Sequence, residues 1–274
     1  MAITPRDPVT ALAGTAAASA SHGRRRLAVL QAALAAALLA PGSALAGPPF
    51  RTDDPEPVDY GHWEVYGFST ATQIRGDTSG ILPGLEVNYG AAPDLQLHLI
   101  APLAFDRPSG GGWQSGYGDT ELGMKYRFVQ EDAKGWRPMV GIFPLLEAPT
   151  GDAERGLGAG HAREFLPIWL QKSFGGWQTY GGGGYWINPG AGNKNYWFAG
   201  WQLQRQITEQ LALGGEIFHQ TADSAGASDS TGFNLGGIFD ITEHHHLLFS
   251  AGRGLENATE SNEFSYYVAY QLTF

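Results

Sequence analysis

The last eleven residues, Phe264 to Phe274, alternate strictly in polarity. Phe264, Tyr266, Val268, Tyr270, Leu272 and Phe274 share one face of an extended chain, and Ser265, Tyr267, Ala269, Gln271 and Thr273 share the other. The same period of two runs through 117–128, where Thr120, Leu122, Met124, Tyr126 and Phe128 oppose Asp119, Glu121, Gly123, Lys125 and Arg127. In 95–105, leucines 95, 97, 99 and 103 oppose Gln96 and His98, and in 195–205 Trp197, Ala199, Trp201 and Leu203 oppose Gly200, Gln202 and Gln204. Segments of about ten residues with one apolar and one polar face suit lipid outside and water inside a closed barrel. Turn signals divide the chain into twelve predicted strands: 61–75, 81–90, 95–105, 117–130, 136–148, 163–174, 177–187, 195–205, 211–221, 230–240, 246–254 and 263–274. The odd-numbered gaps (75–80, 106–116, 149–162, 188–194, 222–229 and 255–262) are mostly longer than the even-numbered ones, as extracellular loops exceed periplasmic turns, so both termini are expected on the periplasmic side. The strands at 61–75, 136–148 and 163–174 alternate poorly, with prolines at 138, 144 and 167.

The first 46 residues break this pattern. They lack aromatic residues, and Arg24 to Arg26 precede an apolar run from Leu27 to Leu39 and the small-residue triplet Ala44-Leu45-Ala46. This is the layout of a cleavable secretory signal, and its apolar run is too short to span a bilayer. The chain is expected to divide into an N-terminal extension and signal at 1–46, a short periplasmic lead-in at 47–60 and an outer-membrane barrel at 61–274. All 14 Phe, 11 Tyr and 8 Trp lie after residue 46. Without the leader, Lys plus Arg falls from 17 to 13 and Asp plus Glu from 27 to 26, so the formal charge goes from −10 to −13. Such acidity excludes a nucleic-acid binder, and the absence of cysteine excludes disulfide scaffolds and thiolate metal centres.

Parity places Glu86, Asn88, His98, Asp119, Glu121, Lys125, Arg127, Glu216, Gln220 and Asn234 on the inner face. Of these, Glu86, His98, Asp119, Glu121, Lys125, Arg127 and Glu216 are the candidate lumen-lining residues. Twelve strands fall between filled eight-stranded barrels and open porins, so two readings stand side by side. One is a narrow channel for passive uptake of small solutes; the other is a barrel whose inward charges pair and plug it, acting as a structural or interaction protein. The lead-in is too short to form a plug with its own core.

Gly118-Asp119-Thr120-Glu121-Leu122-Gly123-Met124-Lys125-Tyr126-Arg127-Phe128, Pro144-Leu-Leu-Glu-Ala-Pro-Thr-Gly-Asp152 and Phe50-Arg-Thr-Asp-Asp-Pro55 together resemble an outer-membrane transporter family labelled MetA-pathway of phenol degradation. The resemblance implies an exported barrel in the outer membrane of a Gram-negative bacterium and uptake of aromatic or hydrophobic compounds. It supplies no catalytic residue. Phe274 resembles the terminal aromatic that the barrel-assembly machinery reads, and the remaining expected partners are outer-membrane lipid, lipopolysaccharide and a small-molecule solute.

Other candidate chemistry is thin. An outer-membrane hydrolase would need a nucleophile and base in reach. No Gly-x-Ser-x-Gly is present, while His161 with Asp152 and Glu154, and His219 near Asp223, read as loop surface. Successive residues of a strand point to opposite faces, so His244-His245-His246 reads as a turn and not a metal site, and no cofactor is expected. Gly181 to Gly184 reads as a place of close strand approach. Trp63, Trp136, Trp177, Trp186, Tyr196, Trp197 and Tyr270 are expected to form interfacial girdles.

Overall fold

The computed structural model describes residues 49–274, which form a closed antiparallel β-barrel of twelve wall strands. The segment assigned to the leader lies outside the described residues. The strands are β1 (Trp63–Ile74), β2 (Asp77–Ala92), β3 (Leu95–Arg107), β4 (Gln114–Tyr117 and Thr120–Val129), β5 (Met139–Ile142 and Leu145–Ala148), β6 (Arg163–Phe174), β7 (Trp177–Ile187), β8 (Tyr196–Gln206), β9 (Leu211–Gln220), β10 (Ser230–Asp240), β11 (His245–Glu256) and β12 (Phe264–Thr273). Each pairs with its neighbours in sequence, and β1 pairs with β12 from Glu64↔Thr273 to Gln73↔Phe264 to close the ring. Closure leaves no unpaired sheet edge, the condition for a β protein in lipid. The seam extends past the strands, since Trp63 N–H donates to Phe274 O at 2.7 Å and Phe274 N–H returns to Trp63 O at 3.0 Å.

The alternation read from the sequence sets the two faces. Leu97, Leu99, Leu122, Met124, Tyr126, Phe128, Trp201 and Leu203 are exposed on the outside, whereas Gln96, His98, Lys125 and Gln202 are buried inside. The interior also holds aromatic residues, with Tyr66 and Phe68 in one cluster and Phe165, Trp169, Phe198 and Phe218 in another.

Four expectations need correction. The first gap, 75–80, is a two-residue turn: Arg75 and Gly76 have φ of 51° and 83°, the left-handed pair that matches hairpin twist, and the pairing resumes at Ile74↔Asp77. The strand expected at 117–130 is interrupted at Gly118-Asp119, where Gly118 N–H turns to Pro102 O. The strand expected at 136–148 is broken at Phe143-Pro144, because proline has no N–H to offer the ladder; Trp136 lies outside it, 97% exposed. The fourth correction concerns 47–60. Residues 49–58 do not extend below the barrel but fold into it, with Thr52, Asp54, Pro55 and Val58 buried.

Candidate functional site

The lead-in has no core of its own and uses the inner wall instead. From the start of β1 it climbs past Gln96, whose side-chain oxygen accepts from Val58 N–H at 2.9 Å. It then passes Gln171, which donates to Glu56 at 2.8 Å, and Lys125, whose Nζ lies 2.9 Å from Asp53 and 3.4 Å from Asp54. Its upper part docks on Glu216. One carboxylate oxygen accepts from Arg51 N–H (2.8 Å) and Asn234 Nδ2 (2.5 Å), and the other from Thr52 N–H (2.8 Å) and Thr52 Oγ1 (2.6 Å). Pro49 O accepts from the Ser250 hydroxyl. Every one of these wall residues lies on the inner face by strand parity, and closure of the ring turns those faces toward one thread of chain.

Of the seven candidate lumen residues, six sit inside, in three groups. Glu86, His98 and Glu121 form the first, with Asn88: His98 Nδ1 is 2.7 Å from Asn88 Oδ1 and 3.6 Å from Glu86, and Nε2 is 2.9 Å from Glu121. The cross-strand pairs Asn88↔His98 and Ile100↔Glu121 set this meeting of β2, β3 and β4. Lys125 and Arg127 form the second on the acids of the lead-in and the first inner turn, Arg127 being 2.7 Å from Asp94 and 4.0 Å from Glu56. Glu216 is the third. Asp119, expected to line the lumen, instead holds a loop. Displaced by the break at Gly118, its carboxylate accepts from Gly151 N–H at 2.9 Å and Ala159 N–H at 2.6 Å.

Two adjoining cavities lie against the lead-in and share Asp53, Phe143 and Leu145 in their linings. One, of about 170 Å³, is lined by Phe50, Tyr66, Glu86, His98, Glu121 and Lys125 among others. The other, of about 200 Å³, is lined by Arg51, Asp53, Phe143, Leu145, Phe165, Trp169, Trp186 and Phe198. Of the consecutive residues Phe50 and Arg51, the first lines one cavity and the second the other. Two members of the expected girdle belong here and not at the lipid interface: Trp186 stacks on Phe165 (4.8 Å, 12°) and on Tyr196 (5.8 Å, 15°). Trp63, Trp177, Trp197 and Tyr270 are exposed on the outside.

The other candidate groups do not assemble. His161 meets Asn188 and Asn193, Asp152 caps the 3-10 turn Ala153–Arg155, and His219 meets Thr231 at 2.9 Å while Asp223 meets Gln220 and Ser224. His246 is buried against Asp240 (2.7 Å) while His245 turns outward to the Tyr270 hydroxyl. At Gly181 an added Cβ would lie 2.3 Å from the Trp201 ring, so the glycine run is a place where a bulky neighbour packs onto backbone.

Burial, reinforced by the neighbouring Asp54 carboxylate, pushes the Glu56 carboxyl up to about 7; burial also raises that of Asp54. An undocked lead-in would return Glu56 to the ordinary value of 4.5. Protons therefore favour docking: this contribution is fully present below about pH 4.5 and is lost as the pH rises through about 7. Protease nicking within 49–58 should accelerate between these limits, and Glu56→Gln should flatten that dependence. An unchanged profile in Glu56→Gln would assign the effect elsewhere.

Residues 65–272 match the profile of the family described as MetA-pathway of phenol degradation. The chain belongs to that family. Among solved structures, this family member resembles an outer membrane channel from Pseudomonas putida F1, with a TM-score of 0.63 and 20% identity over 84% of this chain and 100% of that one. It also resembles the NanC porin, with a TM-score of 0.52 and 9% identity over 77% and 98% of the two chains. At these identities the likeness is one of fold. A search of curated proteins finds no match.

Sequence reading missed the lead-in's part in the site. Its signal was available, since Asp53-Asp54-Pro55-Glu56 places three carboxylates beside a barrel whose inward Lys125 and Arg127 needed partners.

Proposed function

We propose that the chain is a passive outer-membrane channel for small solutes, and not an enzyme. The observation that carries this reading is the space that remains in the lumen beside the docked lead-in, about 170 and 200 Å³, inside a barrel whose outer face is apolar. The inward charges pair with one another and with the lead-in, and these pairs leave that space unfilled. The narrowness left by the lead-in favours solutes of a few to about a dozen heavy atoms. Aromatic or hydrophobic compounds accord with the family's description and with the aromatic wall.

In this reading residues 1–46 direct export and are removed, the end of the barrel that carries Phe274 faces the periplasm, and Phe274 serves the assembly machinery. Outer-membrane lipid and lipopolysaccharide surround the apolar face. Glu86, His98, Glu121, Lys125, Arg127 and Glu216 set the field along the path. Refolded residues 47–274 should show heat-modifiable gel mobility and a small, steady unit conductance in planar bilayers. Absence of both ion conductance and solute flux at any voltage would reject the channel.

A further inference from the structure

Arg51 differs from the other luminal bases. Lys125 is matched by Asp53 and Asp54, Arg127 by Asp94, and Arg163 by Glu147. The Arg51 guanidinium has no carboxylate partner among the described residues. It donates to Gln220 Oε1 at 3.3 Å and lies over the rings of Phe218 (4.6 Å) and Phe198 (5.3 Å). The nearby acid, Glu216, is occupied by the four donors described above, two of them the backbone N–H groups of Arg51 and Thr52. The carboxylate that anchors the backbone attracts the side chain but makes no direct ion pair with it. That side chain lines the second cavity and keeps an exposed surface.

What shares the cavity with it is a set of flat apolar surfaces. Phe165 and Trp186 are stacked, Phe165 meets Phe198 edge-on at 6.2 Å, and Trp169 adjoins Phe165 at 6.3 Å. Trp169 is 1% exposed and its indole N–H has no hydrogen-bond partner. A buried donor left unmade is costly, and Trp169 takes part in the cavity wall through its ring. The one acid on this lining, Asp53, is held 2.9 Å from Lys125, and Arg163 at the rim lies 5.5 Å over Trp186 while paired to Glu147. A guanidinium without a direct ion pair and a set of aromatic faces together suit a ligand with an oxyanion at one end and a ring at the other.

We infer that Arg51, with Trp169 and the aromatic wall of Phe165, Trp186 and Phe198, forms a binding site inside the lumen for an aromatic monocarboxylate. The carboxylate takes the Arg51 fork, and the ring lies among the aromatic side chains. The site rests on the channel reading only for its role in passage; its binding stands separately. Arg51 supplies the positive charge on this lining that a carboxylate needs.

The test uses refolded residues 47–274 with benzoate, benzylamine and acetate as probes, read by tryptophan fluorescence and by block of single-channel current in KCl. Benzoate should bind about tenfold or more tightly than benzylamine, which has a ring and the opposite charge, and than acetate, which has the charge without the ring. Arg51→Gln should weaken benzoate about tenfold, and Arg51→Lys should restore part of the loss. Because Arg51→Gln also alters the lead-in, the comparison of probes on the unaltered chain decides by itself. Equal or tighter binding of benzylamine or acetate, or benzoate affinity unchanged in Arg51→Gln, overturns the site. Conductance in KCl without this discrimination leaves the channel standing and the site rejected. Discriminating binding without conductance does the reverse.

Discussion

Lys125→Met releases the lead-in from the lumen. The ammonium is 1% exposed, sits 4.9 Å from the Phe143 ring centre and carries both Asp53 and Asp54. Removing one partner of a buried ion pair strands the others, at a cost of about 3–5 kcal/mol. On the docking equilibrium that is roughly a hundredfold or more. The wall strand itself loses nothing, since its backbone ladder to Gln96 and its neighbours is unaffected. Single-channel conductance should rise several-fold, and trypsin should cut at Arg51 faster than in the unaltered chain at the same pH. Adding Asp53→Asn and Asp54→Asn should restore the small conductance, because the stranded charges are then gone. If Lys125→Met keeps the original conductance and protease resistance, the ion pair does not hold the segment.

Gly200→Val should give the same release by a steric route. A Cβ at Gly200 would stand 2.0 Å from Thr52 Oγ1 and 3.1 Å from Thr52 Cβ. Thr52 has little room to yield: it is fully buried, β-branched, and fixed to Glu216 through both its N–H and its hydroxyl. Overpacking of this kind costs about 1–3 kcal/mol, and the displaced Thr52 takes its two bonds with it. The chain has no cysteine, so a single Pro49→Cys reporter, buried when docked, should react faster with a thiol reagent in the Gly200→Val background. Gly67→Val is the control, since its Cβ would meet nothing within 4 Å. Equal labelling in the two backgrounds would mean that the lead-in does not run past Gly200 in solution.

These two substitutions mark the divide between what was legible in the residues and what was not. Strand parity is a local property: residues two apart share a face whatever the rest of the chain does. Leu122, Met124 and Lys125 could therefore be placed outside and inside from their own neighbours, and the twelve strands and their order followed from turns and alternation. The errors fell where a local rule met a special backbone. Arg75-Gly76 closed a loop into a two-residue turn, Gly118 diverted Asp119 from the lumen to a loop, and Pro144 cut a strand in two. Trp186 and Tyr196 went to the girdle because their position near a strand end says nothing about which face they occupy once alternation weakens beside glycines.

By itself, then, the sequence determined the barrel, its strand number, its lipid-facing side and six of the inward titratable residues of the wall, because backbone pairing in lipid and a period of two leave few alternatives. Only the tertiary structure decided what those charges do. Lys125 lies 71 positions from Asp54, and Glu216 lies 164 from Thr52; no periodicity links residues so far apart. Closure of the ring brings them together, and the lead-in, polar and without a repeating pattern, takes its path from the wall and not from its own residues.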